Sequence, residues 1–308
     1  MISTAHRLYV VHTPSPFEFS WRYVFAAAAL QAGWTTIDDT GQSPDDRPVT
    51  GNLLIQSSEP ARAGIWDPTE VMVVLDTPNN AIDATLAQPG IEFGDAVRYV
   101  SRRLAALAAL MQERPTTVAS ATAPVITLPQ LGEVRLSERP VSAADLPGPL
   151  AIYEHLPPRR GSRALWPQSL FIINPKDHGD SVDGLEVDLT GRRRILQHGP
   201  YVILTPGVWE ITVQFAVAVN SSAIDLRFEW GTGADADVIS HSVKTSGLYQ
   251  VVLSKTWAET APVELRIWLD RAIFDGGFEL KLCSVQFLGA EEELQVEDQA
   301  RAATSRTR

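Results

Sequence analysis

The sequence predicts a multidomain α/β plus all-β protein, with a small N-terminal parallel-sheet α/β domain followed by a C-terminal, jelly-roll-like β-sandwich. Three observations carry this. Residues 208–217, 224–230 and 263–270 alternate apolar and polar side chains with a period of two, as strands with one buried and one wet face do. Upstream, apolar runs at Leu8–His12, Leu53–Gln56 and Val71–Leu75 alternate with helix-like segments, the order of a parallel sheet covered on both faces. Between these regions lies a segment dense in proline, which is expected to be extended and irregular.

With 308 residues the chain exceeds the size at which one core is efficient, so two domains are expected. The boundaries read as an α/β domain at 1–135, a Pro-rich connector at 136–184, a β-sandwich at 185–290 and a charged tail at 291–308. A net charge of −11 argues against a nucleic-acid partner, which needs concentrated Lys and Arg. The single cysteine, Cys283, allows neither an intrachain disulfide nor a cysteine metal cluster. No run approaches the ~20 apolar residues of a membrane span. MISTAHRLYVVH reads as a first strand rather than a signal peptide. Synthesis in the cytoplasm is therefore expected, and release as part of a particle is compatible with it.

In the first domain, Leu8–His12 leads through a proline-containing loop to Ser20, an expected N-cap for the helix WRYVFAAAALQ, with Gly33 as its C′ residue. A second helix is expected at about Phe93–Gln112, carrying Val97, Val100, Leu104, Leu107 and Leu110 on one stripe and ended by Pro115. The order of strand, loop, Ser-Trp helix, VMVVLDTP at Val71–Pro78 and a long helix bearing Ser101-Arg102-Arg103 resembles the N-terminal half of a P-loop sulfotransferase. The resemblance implies a phosphosulfate held by the first loop. Here that loop, His12–Ser20, has no Gly and no Lys, contains Glu18, and loses two N–H donors to Pro14 and Pro16. A degenerate site is expected, and no cofactor. His12 and Asp76 read either as ordinary strand-end residues or as a catalytic pair; no phosphate, zinc or nucleophile motif supports the second. Asp38, Asp39, Asp45 and Asp46 lie in a turn-rich stretch, where solvated carboxylates rather than metal ligands are expected.

The connector contains Pro140, Pro147, Pro149, Pro157, Pro158, Pro167 and Pro175. Pro157–Gly161 is its hinge candidate, and Leu165–Ile173 is expected to pack on the second domain.

In the second domain, short strands separated by Gly, Pro, Asn and Ser at roughly ten-residue spacing describe a sandwich. The three alternating strands are expected to form one sheet with an apolar back and a polar front. The succession GRRRILQHGPY, LTPGVW, FEWGTG, GLY and ELRIWL resembles the small carbohydrate-binding-module-like sandwiches of bacterial surface-polysaccharide and glycosyltransferase-associated proteins. That resemblance implies non-catalytic glycan recognition. Independently of it, a sugar needs fixed carboxylates or guanidinium groups for its hydroxyls and a flat aromatic for its C–H face. Arg227, Glu229, Glu264, Arg266, Trp268 and Asp270 offer both from polar strand positions. The same residues also read as cross-strand ion pairs with Trp268 covered. His198 and Tyr201 read as a capping turn or a ligand site, Arg192–Arg194 as a contact for anionic glycans or a strand edge, and Trp209, Trp230 and Trp257 as core.

Two function classes follow. One is a non-catalytic protein that binds capsular or surface polysaccharide, acting with other protein subunits of an assembly as a receptor-binding component of a phage-like spike. The other is a polysaccharide-modifying transferase with the sandwich as substrate anchor.

Overall fold

The structure, a computed structural model, describes residues 5–39, 51–136, 148–173, 186–220, 222–233, 235–291 and 294. Asp45, Asp46, Pro140, Pro147, Pro175 and most of the 291–308 tail lie outside these residues. Two compact units are present, Met1–Glu92 with Arg102–Leu146, and Phe93–Ser101 with Pro147–Arg308. They hold the parallel sheet and the β-sandwich of the predicted fold class, with bounds other than the 1–135 and 185–290 read from the sequence.

The first unit is built on five strands, β1 (Arg7–His12), β2 (Thr35–Asp39), β3 (Leu53–Ser57), β4 (Glu70–Leu75) and β5 (Thr116–Ser120), in the order β2-β3-β1-β4-β5. Every pairing is parallel. On one face Leu8, Val10, Leu54, Met72 and Val74 pack with Trp21 and Phe25 of helix α1 (Glu18–Gln31). The hairpin of β6 (Val125–Leu128) and β7 (Gly132–Arg135) adds Ile126, Leu128 and Val134 to this cluster. The alternate residues Tyr9, Val11, Ile55 and Val73 are buried as well, which explains why these strands read as continuous apolar runs. Helices α2 (Ala63–Trp66) and α3 (Pro78–Leu86) complete the connections, and helix α4 (Phe93–Glu113) contributes its residues from Arg102 onward to this unit. The stripe from Val97 to Leu110 is buried as expected.

Helix α1 starts earlier than its sequence suggests. Its N-cap is Phe17, and Ser20 lies inside the helix. Ser15 initiates the turn instead: its Oγ accepts from Phe17 N and its carbonyl from Glu18 N. At the other end Gly33 takes a left-handed φ of 76°, and the N–H of Trp34 bonds Ala29 O, the expected Gly-terminated C-cap.

The second unit is a sandwich of two antiparallel sheets. One contains β8 (Arg163–Trp166), β10 (Val187–Asp188), β12 (Gly207–Ala218), β15 (Gly247–Trp257) and β17 (Gly277–Gly289). Its order is β10-β17-β12-β15, with β8 also on β17. The other runs β14-β13-β16-β11-β9, made of β9 (Ile172–Ile173), β11 (Arg194–Leu204), β13 (Ile224–Thr232), β14 (Asp235–Val243) and β16 (Ala261–Leu269). The chain changes sheet between β11 and β12, β12 and β13, β14 and β15, β15 and β16, and β16 and β17, which is the jelly-roll-like habit.

The three alternating strands expected in one sheet are divided between two. The strands at 224–230 and 263–270 are neighbours, but the strand at 208–217 lies in the opposite sheet. Its inward residues Trp209, Ile211, Val213 and Phe215 are fully buried, and the Phe215 ring meets Phe228 of β13 at 4.9 Å. A period of two identifies the inward face of a strand and says nothing about which sheet holds it. Trp209, Trp230 and Trp257 are core residues.

The segment read as connector supplies β8, which pairs with β17 from Cys283↔Trp166 to Gln286↔Arg163, and β9, which pairs with β11. Gly161, part of the hinge candidate, donates its N–H to Phe287 O of β17 at 2.8 Å. Among the described residues no helix is long and apolar enough to cross a membrane.

Candidate functional site

Outward positions of β13, β16 and β11 form the site. In the β13–β16 register Arg227 lies opposite Trp268 and Glu229 opposite Arg266; in the β11–β16 register His198 lies opposite Arg266 and Ile195 opposite Trp268. Directly opposed residues of an antiparallel pair share a face. Strand alternation therefore brings all six residues expected at the site, Arg227, Glu229, Glu264, Arg266, Trp268 and Asp270, to one patch.

Within the patch they are engaged with one another. Arg227 pairs with Glu229 at 2.7 Å and Asp270 at 3.1 Å, and Arg266 with Glu229 at 3.0 Å and Glu264 at 3.9 Å. Arg193 reaches Asp270 at 3.3 Å. At Arg227 Nε–Asp270 Oδ1 and Arg266 Nε–Glu229 Oε2 the N–H direction misses the oxygen, so these contacts hold by charge rather than as aligned hydrogen bonds. Glu229, with only 9% of its side chain exposed, is the shared anion of two guanidinium groups.

Trp268 is half-buried, with the guanidinium carbon of Arg227 4.8 Å from its ring centroid and that of Arg193 at 5.9 Å. Both readings of this face are thus present in part: the charges form a cross-strand ladder, and the indole is an aromatic on the outer face held between cations. Its Nε1–H is buried and meets no acceptor among the described residues.

One further group adjoins the patch. His198 and Tyr201 belong to β11 itself, not to a capping turn. Register shifts after Ile195 and after Pro200 make Leu196 and Tyr201 extra residues relative to β16, and Tyr201 takes a left-handed φ of 64°. A bulge of this kind re-aims a side chain at some conformational cost. Tyr201 Oη donates to Glu264 Oε1 at 2.8 Å, and His198 Nδ1 lies 2.7 Å from the same hydroxyl. Because that hydroxyl's hydrogen is committed to Glu264, Nδ1 is the donor to it. Burial, then the hydrogen bond to Glu264, pushes the Tyr201 phenol up to about 12. A chain of contacts no longer than 3.9 Å therefore runs from His198 through Tyr201, Glu264, Arg266, Glu229, Arg227 and Asp270 to Arg193. The HGPY sequence, with Gly and Pro inside a strand-like run, was the available sign of the bulge.

Of the three arginines at 192–194, Arg193 joins the patch, while Arg194 donates to the carbonyls of Asp188, Leu189 and Arg192. β9 pairs with β11 at Gln197 and His198, beyond the Arg192–Arg194 run.

The first unit has a cleft of about 1040 Å³ near the carboxyl ends of β1, β2 and β3, where Ser15, Glu18, Arg22, Tyr23, Asp38 and Ser58 line it. Arg22 is held by Glu18, Asp38 and Ser58. His12 and Asp76 are not a pair: His12 Nε2 bonds Gln56, while Asp76 binds Ser15 Oγ, Thr77 N and Asn80 Nδ2. Asp38 and Asp39 bind Arg22 and Arg62 respectively, and among the described residues no acidic, His or Cys group has the arrangement of a metal site.

No family model matches the chain, and no curated protein sequence does. Solved structures similar to it include a family 61 carbohydrate-binding module in complex with β-1,4-galactotriose, at 12% identity and TM-score 0.26, covering 38% of this chain and 80% of that one. The CBM22-1 xylan-binding domain of Xyn10C from Paenibacillus barcinonensis is similar at 12% identity and TM-score 0.26, over 42% of this chain and 86% of that one. The glycosylation-associated Gap123 complex from Streptococcus agalactiae is similar over 82% of this chain and 49% of that one, at 10% identity and TM-score 0.28. At such scores the likenesses carry no argument; the sandwich is established by its own strand order and register.

Proposed function

We propose that the second unit is a non-catalytic glycan-binding module whose site is the outer face of β13, β16 and β11. The observation that supports this is the pre-positioned run of guanidinium and carboxylate groups beside Trp268. Vicinal hydroxyls both donate and accept, so they are matched by adjacent acceptors and donors whose geometry is already held before binding. Glu264, Asp270 and the guanidinium groups of Arg227 and Arg266 have this character, and the indole supplies apolar surface between them.

The setting we propose with it is a capsular or surface polysaccharide, bound by the chain as a receptor-binding component of a larger particle. A glycan array with the full chain, followed by calorimetry on the best ligand with wild type and Trp268→Ala, is the test. Binding that Trp268→Ala weakens at least about ten-fold supports the site; binding left unchanged by that substitution refutes it. Comparing adsorption to encapsulated and capsule-free cells tests the setting.

The alternative, a polysaccharide-modifying transferase, would draw on the cleft of the first unit. Micromolar binding of phosphosulfate or a sugar nucleotide, lost in Arg22→Ala, would establish it.

A further inference from the structure

Among the described residues, strand β14 is the outermost strand of its sheet and pairs only with β13, through a nine-residue register without a shift. An edge strand presents a row of main-chain N–H and C=O groups that can template another strand, and proteins commonly protect such edges with proline, lysine, bulges or a covering segment. β14, with the sequence DADVISHSV, contains no proline and no lysine. Its side chains are also unusually open. Val238 and Ile239 are neighbours and so point to opposite faces, yet they are 53% and 37% exposed. Of the nine residues only Val243 is buried.

The outermost strand of the other sheet, β15, carries an inward lysine. Its Lys255 points inward, is 8% exposed, and pairs with Asp235 at 2.8 Å and Asp237 at 3.6 Å. Asp235 and Asp237, of the same strand parity as buried Val243, are inward charges on β14 itself, one of the devices that protect an edge. The Lys255 contacts engage β14 side chains, not its main chain.

We propose that β14 pairs antiparallel with β14 of a second copy of this chain, about a two-fold axis through Ile239. The strand is self-complementary in that register. Its midpoint is Ile239, so all nine residues overlap; Asp237 of each copy lies opposite His241 of the other, Val238 opposite Ser240, and Asp235 opposite Val243. Opposed residues share a face in an antiparallel pair, and no like charges meet. The Asp237 carboxylate, 48% exposed, accepts from a His241 imidazole N–H at two symmetric places. The pairing joins two five-stranded sheets into one of ten, with both outer faces on the same side because the axis is perpendicular to the sheet. It stands independently of what that face binds.

The experiment is sedimentation velocity of the full chain from about 1 to 100 µM, the range for a small, largely main-chain interface. Wild type should show a concentration-dependent monomer–dimer equilibrium. His241→Asp, which sets a second carboxylate opposite Asp237, should raise the dimer Kd about ten-fold or more. His241→Gln, which keeps an N–H donor, should leave it within about three-fold. The exchange Asp237→His with His241→Asp should restore dimerisation. Circular dichroism melts verify that each variant is folded. A wild-type chain that stays monomeric over the range overturns the proposal, as does a dimer indifferent to His241→Asp, or a folded exchange variant that stays monomeric.

Discussion

Arg227 and Trp268 face each other across the β13–β16 ladder, with the guanidinium carbon 4.8 Å from the indole centroid. Arg227 is simultaneously tied to Glu229 and Asp270, so the cation cannot drift from the ring without breaking two ion pairs. The indole is thereby fixed in orientation before any ligand arrives.

Trp268→Ala should therefore cost stability as well as glycan affinity. Losing a half-buried ring and a cation–π contact should destabilise by about 1–2 kcal/mol. Ile267→Ala, which empties a fully buried position, should cost about 2–5 kcal/mol. Urea denaturation of the two variants measures the difference, and equal losses would mean that Trp268 serves packing alone.

Glu229→Gln should be the most damaging conservative change in the patch. It leaves the Arg227 and Arg266 guanidinium groups adjacent without their shared anion, a loss of about 2–4 kcal/mol. Glu264→Gln, by contrast, should be milder, because its Arg266 contact is long at 3.9 Å. Chemical denaturation ranks the pair.

In alkali the Tyr201 phenol provides a handle. Its folded pKa of about 12 lies above the ordinary 10, so its contribution to stability is complete below pH 10 and is lost as pH rises through 12. Tyr201→Phe should remove that part of the decline. Tyr9, likewise pushed to about 12 chiefly by burial, should retain its own part in the first unit. Ultraviolet phenolate titration and melts at stepped pH check both.

On the acid side the first unit should respond through His12. Complete burial, with Arg22 as a lesser cause, lowers its pKa from 6.5 to about 3. Stability from keeping it neutral is full above pH 6.5 and falls as pH drops toward 3, by up to about ten-fold in the folding equilibrium per pH unit. His12→Asn should flatten that slope in pH-dependent denaturation, whatever it does to the stability at neutral pH.

A fragment beginning at residue 181 should fold poorly compared with one beginning at 147. The shorter piece lacks β8 and β9, together with buried Trp166 and Tyr153, whose hydroxyl donates to Ile203 O at 2.7 Å. Denaturant titration of fragments ending at 290 should show the longer one to be markedly more stable, and equal midpoints would show these strands to be dispensable.

The sequence by itself determined the local rules. Alternation at 208–217 and 263–270 assigned inward and outward faces correctly, and the apolar runs at 8–12, 53–56 and 71–75 declared a sheet buried on both sides, because side-chain period and burial are properties of consecutive residues. Tertiary structure alone decided whatever joins distant residues. It put β12 opposite β13 rather than beside it, since both sheets of a sandwich impose the same period. It moved the start of α1 to Phe17, where the Ser15 hydroxyl and carbonyl accept the first N–H groups. It joined five of the six outward residues into a ladder of ion pairs with Trp268 under Arg227, and through a bulge at Tyr201 it brought His198 to Glu264 across 66 positions of sequence. No pattern within one strand encodes these contacts, because register between strands is set by the packing of the whole core and by its bulges.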